Sequence, residues 1–484
     1  MATGIEQKGG PAVRPVGAAR PAGPEGSAGA GIADAIYRPF FKAGIAVVLT
    51  LGAAWGALLL LRIGLTGSFA AAGLHEVNAH GHAQIFGWLG LFVMGIAYQA
   101  FPRFKQTSLP RPRLALASLW LMASGIALRS LLEPVAAGSA PAAALAMTGS
   151  ALEIAAVGIF AALIAATWRR SPAPLAPYDF YILSAVAWFA VQTVCDAAYF
   201  AATIHAPGRE QLLDLVATWQ GPLRAVQIYG FALLMVLGVS QRIFPLFYGL
   251  PAPGRSVSLA ALAGLNLAVV GQVAGVLLMR LGGHAWAALW YASVLLLAGS
   301  VCALVFGGGV FSRPAGRDRS LKFFRAAYAW LLVSLGMLVL LPVYQFGLLR
   351  WLSPGSEAAG IGFSHAYYGA VRHAVTVGFL SLMIVGVAAR VVPALSRADL
   401  RSLPALWLPF ALINLGCALR VTGQVLTDFT PSAFPVAGVS GLLEVTGLAV
   451  WGAHLWRVMS RGRAFEKEAP PGRPVVSLPV LNTR

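Results

Sequence analysis

Hydrophobic and polar positions along this chain fall into blocks rather than a period-two rhythm. Twelve apolar stretches, centred near residues 53, 91, 123, 156, 191, 232, 268, 297, 337, 380, 414 and 448, are separated by polar segments that are mostly short. Each is long enough for the ~20 residues that a helix needs to cross a bilayer. An open sheet cannot satisfy its backbone in lipid, and the alternation of a membrane barrel is absent, so the stretches predict helices. The expected fold is all-α, a polytopic membrane protein of about twelve transmembrane helices.

One pattern recurs on the second, sixth and tenth helices. Its copies are His82-Ala-Gln-Ile-Phe-Gly87 with Gly95 and Pro102, Gln227-Ile-Tyr-Gly230 with Gly238 and Pro245, and His373-Ala-Val-Thr-Val-Gly378 with Gly386 and Pro393. Glycines eight apart are followed seven later by proline, and the copies lie about 145 residues apart. Histidine stands five before the first glycine in copies one and three, and Ala225 stands there in copy two. The flanking helices echo the repeat. Arg129 and Glu153 are 24 apart on helices three and four, as are Arg420 and Glu444 on helices eleven and twelve. A period of four helices predicts three arcs of four around a pseudo-threefold axis.

Composition supports the membrane reading: 58% of residues are hydrophobic, 11% are charged, and the mean hydropathy is +0.74. The net charge of +18 points to nucleic acid only until its distribution is seen. Lys and Arg follow the second, fourth, sixth, eighth, tenth and twelfth helices (Arg103, Arg169, Arg242, Arg317, Arg397 and Arg461 among them), while the alternate loops are poor in them. This bias toward one side predicts an inner (plasma) membrane protein of bacterial type, with both termini cytoplasmic and lipid rather than nucleic acid as its surroundings. Residues 1–36, rich in Gly, Ala and Pro, are expected to form a disordered tail, 37–461 the membrane domain and 462–484 a second tail. Cys195, Cys302 and Cys417 lie singly inside apolar stretches and read as packing residues.

Candidate chemistry concentrates in histidine. His82 and His373 occupy one repeat register, about one or two turns inside the membrane from the outer ends of their helices. Two imidazoles from facing helices are what a six-coordinate haem iron requires, so they are the expected axial ligands. No CxxCH occurs, which leaves no covalent c-type haem. Arg372 and Arg224 share another register, and arginine pairs bidentately with carboxylates, which makes them candidates for the haem propionates. His75, His80 and His365 are candidates for a second metal, since imidazole suits copper, zinc and iron. Arg129–Glu153 and Arg420–Glu444 read as structural ion pairs, because an unpaired charge within the membrane is costly.

These segments resemble the NnrS family. His80-Gly-His82-Ala-Gln-Ile-Phe-Gly87 looks like its HxH…FG helix, Gln241-Arg242-Ile-Phe-Pro245-Leu-Phe247 like its central R-x-(x)-P-x-F segment, and His373-Ala-Val-Thr-Val-Gly378 like its HALTVG segment. The resemblance implies a twelve-helix membrane protein containing haem and copper, associated with nitric oxide metabolism and nitrosative stress. The scaffold is also similar to subunit I of haem–copper oxidases, whose low-spin haem is held by histidines on helices two and ten. The departure lies on helices six and seven, which carry no histidine where that family places copper ligands. A standard oxygen-reducing binuclear centre is therefore not expected, and whether the protein is an enzyme stays open. The leading expectation is a b-type haem protein of nitric oxide-related redox handling, with nitric oxide or another small gas and an electron-transfer partner as its associates. The alternatives are a divergent haem–copper oxidase or nitric oxide reductase subunit, which needs a second metal, and a transporter, which needs no haem.

Overall fold

A computed structural model describes residues 31–316, 318–396, 398 and 403–468. Arg317, Arg397, Arg401 and most of both expected tails lie outside the described residues, and of Arg461 and Arg463 only the backbone is described. Among the described residues, twelve helices are long and apolar enough to span a membrane. They are α1 (Tyr37–Thr66), α2 (Leu74–Phe104), α3 (Pro112–Ala136), α4 (Ala140–Arg169), α5 (Pro177–Ile204), α6 (Arg209–Tyr248), α7 (Arg255–Gly282), α8 (His284–Gly307), α9 (Leu321–Val339), α10 (His365–Leu395), α11 (Trp407–Leu426) and α12 (Ala433–Ser460). No strand occurs among the described residues. The chain is therefore a multi-pass helical membrane protein.

The expected boundaries move outward at both ends. A helical turn already covers residues 31–34, and Ile36 is buried. The last helix continues to Glu468. Local chemistry sets the other helix ends. Pro112 and Pro177 open α3 and α5, where a missing N–H costs nothing. Gly249, at φ 63°, closes α6 in the left-handed conformation that suits glycine. Ser364 caps α10 by accepting the Tyr367 N–H at 2.8 Å.

Burial sorts the helices into two shells. In the most apolar window of α2, α6 and α10, 89%, 83% and 72% of residues are buried, against 33–44% for the other nine. The three copies of the repeat thus form the inner shell. The hairpins α3–α4, α7–α8 and α11–α12 pack tightly within themselves, and the outer shell continues through contacts of α4 with α5, α8 with α9 and α12 with α1.

The repeat is visible in local geometry. Each inner helix carries an eight-residue π-helical stretch: Ala83–Gly90, Val226–Leu233 and Ala374–Ser381. These begin one residue after His82, Ala225 and His373. Such wider turns frequently mark functional sites. The second glycine of each copy lies against an aromatic residue of the preceding helix. A Cβ added at Gly95, Gly238 or Gly386 would stand 2.8, 2.7 or 3.1 Å from the Cβ of Phe40, Tyr181 or Phe323. Trp188 donates to Asn266 Oδ1 at 2.8 Å, and Trp330 donates to Asn414 Oδ1 at 3.0 Å. These are equivalent bonds in the second and third units.

Candidate functional site

The histidines of α2 and α10 lie toward the end of the bundle opposite the two termini, called the distal end here. The sequence aligns His82 with His373, but their surroundings differ. The His82 ring is buried, with Nε2 2.8 Å from Glu153 Oε1 on α4 and Nδ1 3.1 Å from Asp196 Oδ2 on α5. Both nitrogens face carboxylate oxygens, which leaves no lone pair for a metal.

His80, two residues earlier on the same helix, keeps one ring nitrogen disengaged. Its Nδ1 lies 3.0 Å from the Gly52 carbonyl oxygen. Gly52 ends a π-helical stretch of α1, Val48–Gly52, and adopts φ −86°, ψ −110°, outside the helical region. A carbonyl only accepts, so Nδ1–H donates and the lone pair of the neutral ring rests on Nε2. Gly56, one turn further on, makes room for the ring, since a Cβ there would stand 3.0 Å from His80 Nε2. His373 is arranged alike: its Nδ1 donates to the Gly369 carbonyl one turn back at 3.1 Å. Among the described residues neither Nε2 has a hydrogen-bond partner. The two imidazoles lie within electrostatic range of each other. A hydrogen bond through one ring nitrogen that fixes the tautomer and aims the other is how ligating histidines are ordinarily held.

Three arginines lie within electrostatic reach of this pair: Arg224 and Arg420 of His80, and Arg420 and Arg372 of His373. Arg224 donates to Gln227 Oε1 at 2.5 Å, and Arg372 stacks on Tyr368, 4.6 Å from the ring centre. Arg372 Nε, Arg420 Nε and Arg420 Nη1 are buried without an acceptor. Guanidinium groups at this depth of a lipid-embedded bundle, two of them with buried donors to spare, are chemically suited to carboxylates or another anion.

The expected ion pairs form differently. Arg129 pairs with Glu133, one turn along α3, and approaches Asp196 at 3.8 Å, while Glu153 is taken by His82. Arg420 and Glu444 do not join: Glu444 Oε1 is itself unpartnered. The hairpins are nonetheless alike, since an added Cβ at Gly125 or Gly416 would stand 2.6 Å from Glu153 Cγ or Glu444 Cγ. His75, His80 and His365 are not gathered. His75 Nδ1 is 3.8 Å from Glu133 Oε1, and His365 packs edge-on to Phe363. No set of three His, Cys, Asp or Glu side chains that could hold a metal ion occurs among the described residues.

Asp196, Glu133 and Gln227 belong to the site without having been singled out for it. Asp196 was legible as an acid inside an apolar stretch, and Glu133 as the residue four after Arg129, the spacing of neighbours on one helix face. Nothing in the sequence marks the Gly52 carbonyl as a hydrogen-bond acceptor.

The sequence model of the family described as NnrS protein matches residues 32–463. No curated protein matches the chain.

Proposed function

This chain belongs to the NnrS family, and we propose that it is an integral membrane b-type haem protein of nitric oxide handling and nitrosative-stress protection. The observation that carries the reading is the pair His80 and His373. Each ring is held through Nδ1 by a backbone carbonyl, and each has an unengaged Nε2. The donor set suits a haem iron between α2 and α10, with Arg224, Arg372 and Arg420 meeting the two propionates. Haem b held by both imidazoles would supply one-electron redox chemistry there. That favours electron transfer or sensing over turnover of a gas at the metal.

The chain's own residues do the rest. Gly52 and Gly369 aim the two imidazoles. Gln227 orients Arg224 through its side-chain oxygen, and Tyr368 backs Arg372. Copper fits less well, because no three ligands are gathered for it among the described residues, and no step is routed through it. The recurrence of π-helical stretches and glycine contacts in three units supports the three-arc arrangement. The Lys and Arg distribution supports an inner bacterial membrane with the distal end outside.

The test is an optical spectrum of the purified protein, with haem and metals counted per chain. The expected result is one b-type haem with the reduced-minus-oxidised spectrum of a six-coordinate iron. Cells without the protein should also tolerate a nitric oxide donor less well. A pure, folded preparation without haem overturns the reading.

A further inference from the structure

Beside the haem candidate lies a second buried cluster for which the proposed function has no use. It spans five helices: His75, Asn78 and His82 on α2, Arg129 and Glu133 on α3, Glu153 on α4, Asp196 and Tyr199 on α5, and Gln227 on α6. Glu133 is 0% exposed and Glu153 1%. Asp196 Oδ2 meets His82 and approaches Arg129, while Asp196 Oδ1 accepts from Gln227 Nε2 at 3.2 Å. Gln227 in turn accepts from Arg224, so the cluster reaches the arginines beside the haem candidate.

Hydrogen bonding isolates one group. Glu153 Oε1 and Asp196 Oδ2 each meet a nitrogen of His82, and Asp196 Oδ1 accepts from Gln227. Glu133 Oε2 pairs with Arg129, but Glu133 Oε1 is buried without a hydrogen-bond partner. His75 Nδ1, facing it, and Nε of the paired Arg129 are likewise buried and unpartnered. Unsatisfied polar groups gathered like this are where ordered water and mobile protons are held. The cluster also has an entrance. The His75 side chain, 3.8 Å from Glu133 Oε1, is 16% exposed, against 1% for that of Glu133, and it lies in the first turn of α2 at the distal end.

We propose that Glu133 is a proton-binding site that exchanges with water at the distal face through His75 and is coupled to the redox state of the neighbouring haem site. Glu133 takes one proton from bulk water for each electron that an external one-electron donor delivers to the iron held by His80 and His373. It releases that proton on oxidation. The carboxylate O–H bond forms and breaks, iron is the only element reduced or oxidised, and net charge in the lipid-buried region stays constant. His82, Glu153, Asp196 and Arg129 form a fixed frame that keeps the Glu133 carboxyl electrostatically sensitive to the haem site. The coupling rests on the haem reading; the proton site rests on the cluster alone.

The test is a redox titration of haem-loaded protein at several pH values, with dithionite as the reductant and haem content measured first. The midpoint potential of the wild type should fall as pH rises, by up to about 59 mV per tenfold change in proton activity for a one-electron couple. In Glu133→Gln that slope should flatten at unchanged haem content. Infrared difference spectra should show a carboxyl C=O band on reduction of the wild type that is missing in the variant. An equal slope and an equal band in the two proteins overturn the proposal. If Glu133→Gln does not fold, His75→Ala keeps the carboxylate but removes the entrance, and proton uptake after rapid reduction should slow at least tenfold; an unchanged rate overturns the proposal. If the purified protein holds no haem, the haem reading fails on its own. The site is then tested by an infrared pH titration of the haem-free protein, where a titrating carboxyl band absent from Glu133→Gln supports it and no such band sinks it.

Discussion

His82 Nε2 lies 2.8 Å from Glu153 Oε1, so the histidine that the repeat aligns with His373 is bound to a carboxylate on a neighbouring helix. Two residues of one register differ in their surroundings. His373 keeps a free Nε2, whereas His82 joins α2 to α4 and α5.

His82→Ala should therefore act mainly on stability. It leaves Glu153 and Asp196 as buried carboxylates without their shared partner, a loss of about 3–5 kcal/mol for a broken buried pair. In a double-mutant cycle with Glu153→Gln, the second substitution should cost much less than the first, because the two share one interaction. Thermal unfolding in detergent measures both; additive costs would show that the contact carries no coupling.

The inner-shell glycines should be intolerant where the helices touch. Gly238→Ala places a Cβ 2.7 Å from Tyr181 Cβ, and the overpacking should cost about 1–3 kcal/mol. Gly158→Ala meets nothing within 4 Å and should be neutral or stabilising, since alanine is the better helix former. The same unfolding assay compares them.

Asn414→Ala removes the acceptor of Trp330 Nε1. A half-buried indole N–H left without a partner should lower stability by about 1–3 kcal/mol. Asn266→Ala should cost somewhat more, because Asn266 accepts from Ser184 as well as Trp188. Equal unfolding temperatures for wild type and both variants would contradict the equivalence drawn between the two units.

Arg420 and Glu444 should separate in function. Arg420→Gln withdraws a guanidinium from the proposed haem site and should weaken haem retention at least several-fold on dilution into apomyoglobin. Glu444→Gln breaks no hydrogen bond through Oε1 and should leave retention close to wild type. The reverse order would restore the ion pair that the spacing suggests.

The fold was largely legible because lipid imposes a simple rule: twelve apolar blocks became twelve helices, and the glycine–glycine–proline spacing located the three that form the inner shell. The surroundings of the histidines were less legible. The repeat aligns His82 with His373, but the groups that decide which ring nitrogens are engaged lie elsewhere in sequence. Glu153 and Asp196 claim His82 from α4 and α5, and a carbonyl released by a π-turn of α1 claims His80 Nδ1. Backbone carbonyls leave no trace in a side-chain pattern. Arg129–Glu153 failed for a related reason: the spacing puts both at the right depth, but Glu133 on the same face of α3 is nearer.

The proposed haem site stands or falls with His80 and His373. Its most direct measurement is haem per folded chain, with the reduced-minus-oxidised spectrum, in His80→Ala, His373→Ala and His82→Ala purified side by side. The prediction is loss of haem or of six-coordinate character in the first two, and wild-type haem in the folded fraction of the third. Full loading with an unchanged spectrum in His80→Ala, together with loss in His82→Ala, would contradict it.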